Sequence, residues 1–211
     1  MTATEPTQKR SRSNTRARLL AAAYDMFCEK GFPATTVEDI CGHAGFTRGA
    51  FYSNFSTTDE LFLELWDERA DRIIDGARVL VGLLATHSDP FGLAQAALID
   101  IELVEPGWFV LNTEFFLHAL RHPEVAEQLT RHRTRLREEL GAVMTALLLA
   151  EQRQLPSTVD LDLFTRMIIA AHEGVQHQSL VPGHELEPGQ LQLAMITLLV
   201  NACPRIETDE I

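Results

Sequence analysis

The chain has 211 residues and a mass of 23.6 kDa, is 45% apolar, and carries 18 Lys and Arg against 30 Asp and Glu, a net charge of −12. That apolar fraction excludes a disordered chain, and three scattered cysteines (Cys28, Cys41 and Cys203) exclude a disulfide framework or a paired-cysteine metal site. Over the whole chain, the acidity argues against a duplex-binding protein, which should carry a basic footprint.

Residues 1–12 are polar and basic and are predicted to form a disordered arm. Apolar spacing then predicts helices almost everywhere and no alternating strand. A first helix is expected over 14–30, with Leu20, Ala23, Tyr24 and Phe27 on one face and Gly31 as its stop. Thr36 is placed to cap a short second helix, with Asp39 three residues on, and Gly45 turns the chain after Ala44. A third helix is expected over 47–55, and Ser56, Thr57 and Thr58 before Asp59 and Glu60 open a long fourth that runs toward residue 86. Further helices are predicted over 91–104, 108–121, 124–154, 159–180 and 188–202, separated by Pro90, Pro106, Pro123, Pro156 and Pro182. The longest apolar runs, 142–150 and 191–202, fall well short of the roughly 20 residues that a membrane span needs. With no apolar export segment after the polar start, a cytoplasmic location is expected.

The charge is not evenly spread. Residues 1–56 have a balance of +2 and residues 57–211 one of −14, and between Lys9 and Arg18 there are five positive charges and no negative one. A basic head on an acidic body restores the nucleic-acid reading that the average had argued against.

Helix, glycine turn and short helix is the shape of a helix-turn-helix. Val37, Ile40, Cys41 and Ala44, with Phe46, Phe51 and Phe55, are expected to form its small core. Thr47, Arg48, Gly49, Ala50, Tyr52, Ser53 and Asn54 then fall mainly outside. Arg48 has the donors to read guanine O6 and N7, and the Ala50 methyl suits a thymine methyl. Gly49 keeps the backbone near the bases, and the Tyr52 hydroxyl can donate to a phosphate.

The stretch 15–66, with LLAAA, KGF, TTVEDI, AGFTRGAFY and DELF in order, resembles the DNA-binding region of TetR-family transcriptional regulators. The resemblance implies an all-α fold: a helix-turn-helix domain over 13–57 joined to a helical ligand-binding and dimerisation domain over 58–211. It places DNA contacts at Thr36 and along 47–54, and makes Tyr52 the phosphate-contacting aromatic. Many members have lysine at the start of the fourth helix where this chain has Thr58, so one phosphate contact is reduced to a hydroxyl or a helix amide. The basic arm is the expected compensation.

In the body, Leu161, Phe164, Ile168, Ala171 and Val175 form a helical apolar seam. The last helix is apolar on two faces, one of them Leu191, Met195 and Leu198. Phe164, Ile168, Val175, Leu191, Met195 and Leu198 are therefore the expected homodimer interface, two helices from each copy. Trp66, Trp108, Asn112, Phe115, Phe116, Met144, Met167 and His172 are the expected lining of an apolar effector pocket. Glu102, Glu105 and Glu114 are available as counter-charges for a cationic effector.

His118 and His122 lie on one helical face, but Pro123 follows and no third ligand is evident, so neither a metal nor another cofactor is expected. Arg131, Arg133, Arg135 and Arg137 alternate and are expected on a solvated surface, partnered by Glu138 and Glu139. No nucleophile elbow, phosphate loop or metalloprotease motif is present, so an enzyme is not expected. The sequence points to a ligand-responsive regulator, a repressor released from a palindromic operator by a small apolar molecule. Its alternative is a helical small-molecule-binding or interaction protein with weak or no specific DNA binding.

Overall fold

A computed structural model describes residues 5–84, 105–180 and 190–206. Its helices are α1 (Glu5–Lys30), α2 (Val37–Ala44), α3 (Arg48–Tyr52), α4 (Thr58–Leu84), α5 (Pro106–Arg121), α6 (Pro123–Ala150), α7 (Leu161–Ser179) and α8 (Gln190–Asn201), with a 3-10 turn at Phe32–Ala34. No β-strand occurs among the described residues; the extended pairing there is a single bridge between Arg153 and Arg205. The fold is all-α, as the apolar periodicity predicts. The helix expected over 91–104 lies outside the described residues, as do Glu102 and the first four residues of the expected arm.

Several boundaries differ from expectation for local reasons. Residues 5–12 belong to α1 instead of a disordered arm. Gln, Lys and Arg are good helix formers, and Pro6 falls in the first turn, where its missing amide has no helical partner to lose. Helix α3 ends at Tyr52, short of residue 55, because the next side chains turn back on it. Ser53 Oγ and Asn54 Nδ2 both donate to the Ala50 carbonyl, at 2.9 and 2.8 Å. Helix α6 stops at Ala150, and Gln152 takes φ 53°, a conformation uncommon outside glycine.

The chain divides into two compact units. The first joins the stretch up to Arg69 with Gly107–His132. Its interior holds Leu19, Ala23 and Phe27 from α1, Ile40, Phe51 and Phe55 from the head, Leu61 and Phe62 from α4, and Leu111 and Phe115 from α5. Phe62 is the centre of an aromatic stack, 3.9 Å from Phe115 and 5.8 Å from Trp108 between ring centroids, with Phe32 edge-on at 5.7 Å. Burying one such ring is worth about 1.5–3 kcal/mol before any ring–ring preference is added.

The second unit has an aliphatic core of Ile74 from α4, Leu140, Val143, Met144, Leu147 and Leu148 from α6, Phe164 and Ile168 from α7, and Val200 and Cys203 at the end of α8. Of the α6 arginines, Arg131 and Arg135 are exposed and Arg135 pairs with Glu139 at 3.1 Å, as expected, but carboxylates of other helices are partners too. Arg133 reaches Glu173 at 2.8 Å, Arg135 reaches Asp71 at 2.5 Å, and Arg137 reaches Asp162 at 2.5 Å. Their alternation spreads them around α6, and in this unit that aims them at α4 on one side and α7 on the other. Arg153 supplies a stop that the sequence does not advertise: its guanidinium donates to the Asn201 and Cys203 carbonyls at 3.2 and 2.7 Å, at the C-terminal end of α8.

Candidate nucleic-acid interface

Helices α2 and α3 are too short to be stable alone, so their ends must be held. Thr36 and Asp39 do this reciprocally for α2: the Asp39 amide donates to Thr36 Oγ1 at 3.2 Å, and the Thr36 amide donates to the Asp39 carboxylate at 3.0 Å. Lys30 adds an ion pair at 2.6 Å, and the Lys30 and Thr36 hydrogen bonds together lower the Asp39 pKa to about 2. Gly45 ends α2 at φ 70°, where a side chain would be strained. Thr47 caps α3 by accepting from the Ala50 amide at 3.3 Å.

On this frame, Arg48 and Tyr52 are exposed side by side on α3. The Arg48 guanidinium lies 5.8 Å from the centre of the Tyr52 ring, and its Nη1 is 2.7 Å from Glu38 Oε1 on α2. Gly49 is exposed and Ala50 half-buried, and a Cβ built on Gly49 would meet Thr47 Oγ1 no closer than 3.7 Å. Thr36, Thr47, Arg48, Gly49 and Tyr52 therefore all reach solvent from the α2–α3 pair. Asn54 differs: its side chain is turned onto the α3 backbone, and its own carbonyl accepts from Arg16 at 2.8 Å.

Arg16 and Arg18, counted in the basic run from Lys9 to Arg18, are tied to groups of the head itself, Arg16 half-buried and Arg18 exposed. Arg16 lies 4.3 Å over the Phe55 ring and forms a two-pronged pair with Glu64, its Nε donating at 2.8 Å. Arg18 donates to the Ala44 carbonyl at 2.8 Å and covers Phe46 at 4.5 Å. Charge counting could not separate these from a solvated arm, because the difference lies in partners 26 to 48 residues away.

Helix α5 belongs to the head's unit, which the sequence reading did not anticipate. Glu114 accepts from the Phe32 amide at 2.7 Å, closing the turn between α1 and α2. Gly31 makes room for it: φ is 83°, and a Cβ there would lie 3.1 Å from Glu114 Oε1. His118 Nε2 sits 3.0 Å from Asp59 Oδ1 in the first turn of α4, a charge contact without hydrogen-bond alignment. Glu114 is thus a structural acceptor in this unit.

The expected pocket residues belong to both units. Trp108 and Phe115 come together, but on Phe62 in the first unit's core, and Trp66 is buried with its ring edge-on to His132. Asn112 is half-buried and Phe116 is exposed. In the second unit Met144 is in the core, Met167 is exposed, and His172 is half-buried with Gln176 Nε2 at 3.1 Å. The expected dimer seam also needs correction. Phe164, Ile168 and Val175 are buried in the chain's own second unit. What α7 leaves exposed is the neighbouring stripe, Leu163, Met167 and Ala170, while on α8 Leu191 and Met195 are half-buried and Leu198 is 70% exposed. A seam of helical spacing fits a chain's own core as well as a partner, so the sequence could not choose between them.

Residues 19–65 match the model for bacterial regulatory proteins of the tetR family. The regulator YfiR of Bacillus subtilis is 36% identical over 63 residues, 30% of this chain, and YdgC of the same organism is 26% identical over 88% of this chain and 91% of its own length. The chain spans 31% of YfiR and 52% of another relative, the activator FasR of Mycolicibacterium smegmatis, so with these two the likeness is partial. Among solved structures, a TetR transcription regulator from Haloarcula marismortui aligns with TM-score 0.64 and 18% identity over 90% of this chain and 98% of that one. The regulator FadR from Bacillus subtilis, in complex with stearoyl-CoA, aligns with TM-score 0.65 and 16% identity over 87% and 97%. Among the described residues no helix is long and apolar enough to cross a membrane. The tetR-family model thus matches the head, and the fold of solved TetR regulators extends over most of the chain.

Proposed function

We propose that the chain is a ligand-responsive repressor that binds a two-fold operator as a homodimer and leaves it when a small apolar molecule binds. The observation that carries the DNA-reading part is the α2–α3 pair itself. Two capped helices present Arg48 and Tyr52 together at the surface, and neither is needed by the core beneath. Arg48 reads guanine in the major groove, Ala50 faces a thymine methyl, and Thr36, Thr47, Gly49 and Tyr52 set the head against the backbone. Asn54 supports α3 from behind.

Two heads bind successive major grooves about 34–36 Å apart, which requires a second copy. Its face is the exposed flank of α7 and α8, with Leu163, Met167 and Leu198, instead of the buried seam. The effector acts only if it prefers the DNA-incompetent arrangement; equal binding to both shifts nothing. An apolar effector is supported by FadR, which has this fold and holds stearoyl-CoA.

A mobility shift on a duplex selected from a random pool tests the reading. Arg48→Ala is expected to lose about 1–3 kcal/mol of preference for that duplex, and Tyr52→Phe to weaken all duplexes alike. Equal loss by Arg48→Ala on selected and random DNA would sink the base-reading role. A second reading, a helical ligand-binding protein with weak or no specific DNA binding, draws on Thr58 and on the engagement of Arg16 and Arg18 by groups of the head. It predicts that no duplex is enriched at all.

A further inference from the structure

We propose that Glu38 is a specificity-determining residue: from α2 it holds the Arg48 guanidinium in the orientation that favours guanine over phosphate. The proposal rests on the DNA-reading role proposed above for Arg48. Glu38 is not needed for the fold. The α2 cap is made by Thr36 and Asp39, the ion pair to Lys30 also belongs to Asp39, and the Glu38 side chain is well exposed. Its carboxylate is instead 2.7 Å from Arg48 Nη1. The guanidinium is therefore bracketed, with Glu38 at one nitrogen and the Tyr52 ring 5.8 Å from its carbon.

An unrestrained arginine has a long, flexible stem and reaches phosphates from many rotamers, and phosphates occur at every step of any duplex. Guanine O6 and N7 are different: they form one planar pair of acceptors at a fixed place in the groove. Restricting the rotamers before DNA arrives disfavours the many phosphate contacts while leaving one planar contact available. The donors suffice. Of the five guanidinium N–H groups, Glu38 engages one on Nη1 and the Tyr52 hydroxyl another, which leaves three to meet the base. The carboxylate also repels the backbone, a penalty that falls on selected and random DNA alike and leaves the ratio to the orientation of Arg48.

The test is a cycle of four full-length proteins, wild type, Glu38→Gln, Arg48→Ala and the double variant, each checked by circular dichroism. Each is titrated against the selected duplex and a random one. Glu38→Gln is expected to tighten random DNA and to lower the selected-to-random ratio by about fivefold, the scale of an exposed ion pair. In the Arg48→Ala background, Glu38→Gln is expected to move both duplexes equally, because removal of a negative charge remains but the side chain it directs is gone. An unchanged ratio in the wild-type background, or an equal fall in both backgrounds, overturns the proposal while leaving the DNA-binding reading intact. A wild-type protein that prefers no duplex overturns both.

Discussion

The first unit sets two short, capped helices on an aromatic stack, and the second sets long helices around one aliphatic core braced by arginine–carboxylate pairs. In the first, α2 has eight residues and α3 five, each started by a threonine cap, and arginines from α1 tie their ends down. In the second, α6 has 28 residues and α7 19, and their contacts are made mostly by Leu, Val, Met, Ile and Phe. The contrast teaches where directionality comes from. Caps fix angles, which a surface presenting Arg48 needs; apolar packing fixes proximity and leaves flanks free to meet something else.

The contrast is best broken at its shared principle, the buried ring. Phe62→Ala removes the fully buried centre of the aromatic stack and is expected to cost about 3–5 kcal/mol. Both tryptophans of the chain, Trp66 and Trp108, lie in this unit, so the fluorescence midpoint in urea reports on it directly. A midpoint shift equivalent to less than 1 kcal/mol (roughly the scale of a surface change) would mean that the stack is not what holds the unit.

Glu114→Ala tests one polar contact of the same unit. Leaving the Phe32 amide without its acceptor is expected to cost about 1–3 kcal/mol, read from the same fluorescence transition. If the loss were no larger than that of an exposed carboxylate such as Glu124, helix α5 would not be closing the turn between α1 and α2.

The smallest effect on folding is expected at Leu198. Because its side chain is largely exposed, Leu198→Glu should leave the unfolding midpoint within about 0.5 kcal/mol of wild type. Its consequence should appear in sedimentation velocity, as a shift from dimer to monomer. An unaltered dimer would remove this face from the proposed interface.

The helix-turn-helix was legible because its signals are local. Thr36 with Asp39, Gly45, and Thr47 each act within three or four residues, and each does in the structure what its position suggests. The early end of α3 was legible in principle too, since Ser53 and Asn54 are residues that compete with the helix backbone. The roles of Arg16, Arg18, Glu114, Arg133 and Arg137 were not legible. Their partners lie far along the chain, and a charge carries no label for its partner. The aromatic run on α5 was read as a pocket because aromatic residues at helical spacing suit a cavity and a core equally.

By itself the sequence determined the helical periodicity, the caps, the motif that resembles TetR-family regulators, and a head less acidic than its body. Those are properties of neighbouring residues or of sums over a segment. The tertiary structure decided what Arg16 and Arg18 of the basic run are tied to, which side of α7 is left exposed, and that α5 closes the turn between α1 and α2. The reason is physical: periodicity shows that a helix has an apolar side, but only packing in three dimensions selects what covers it.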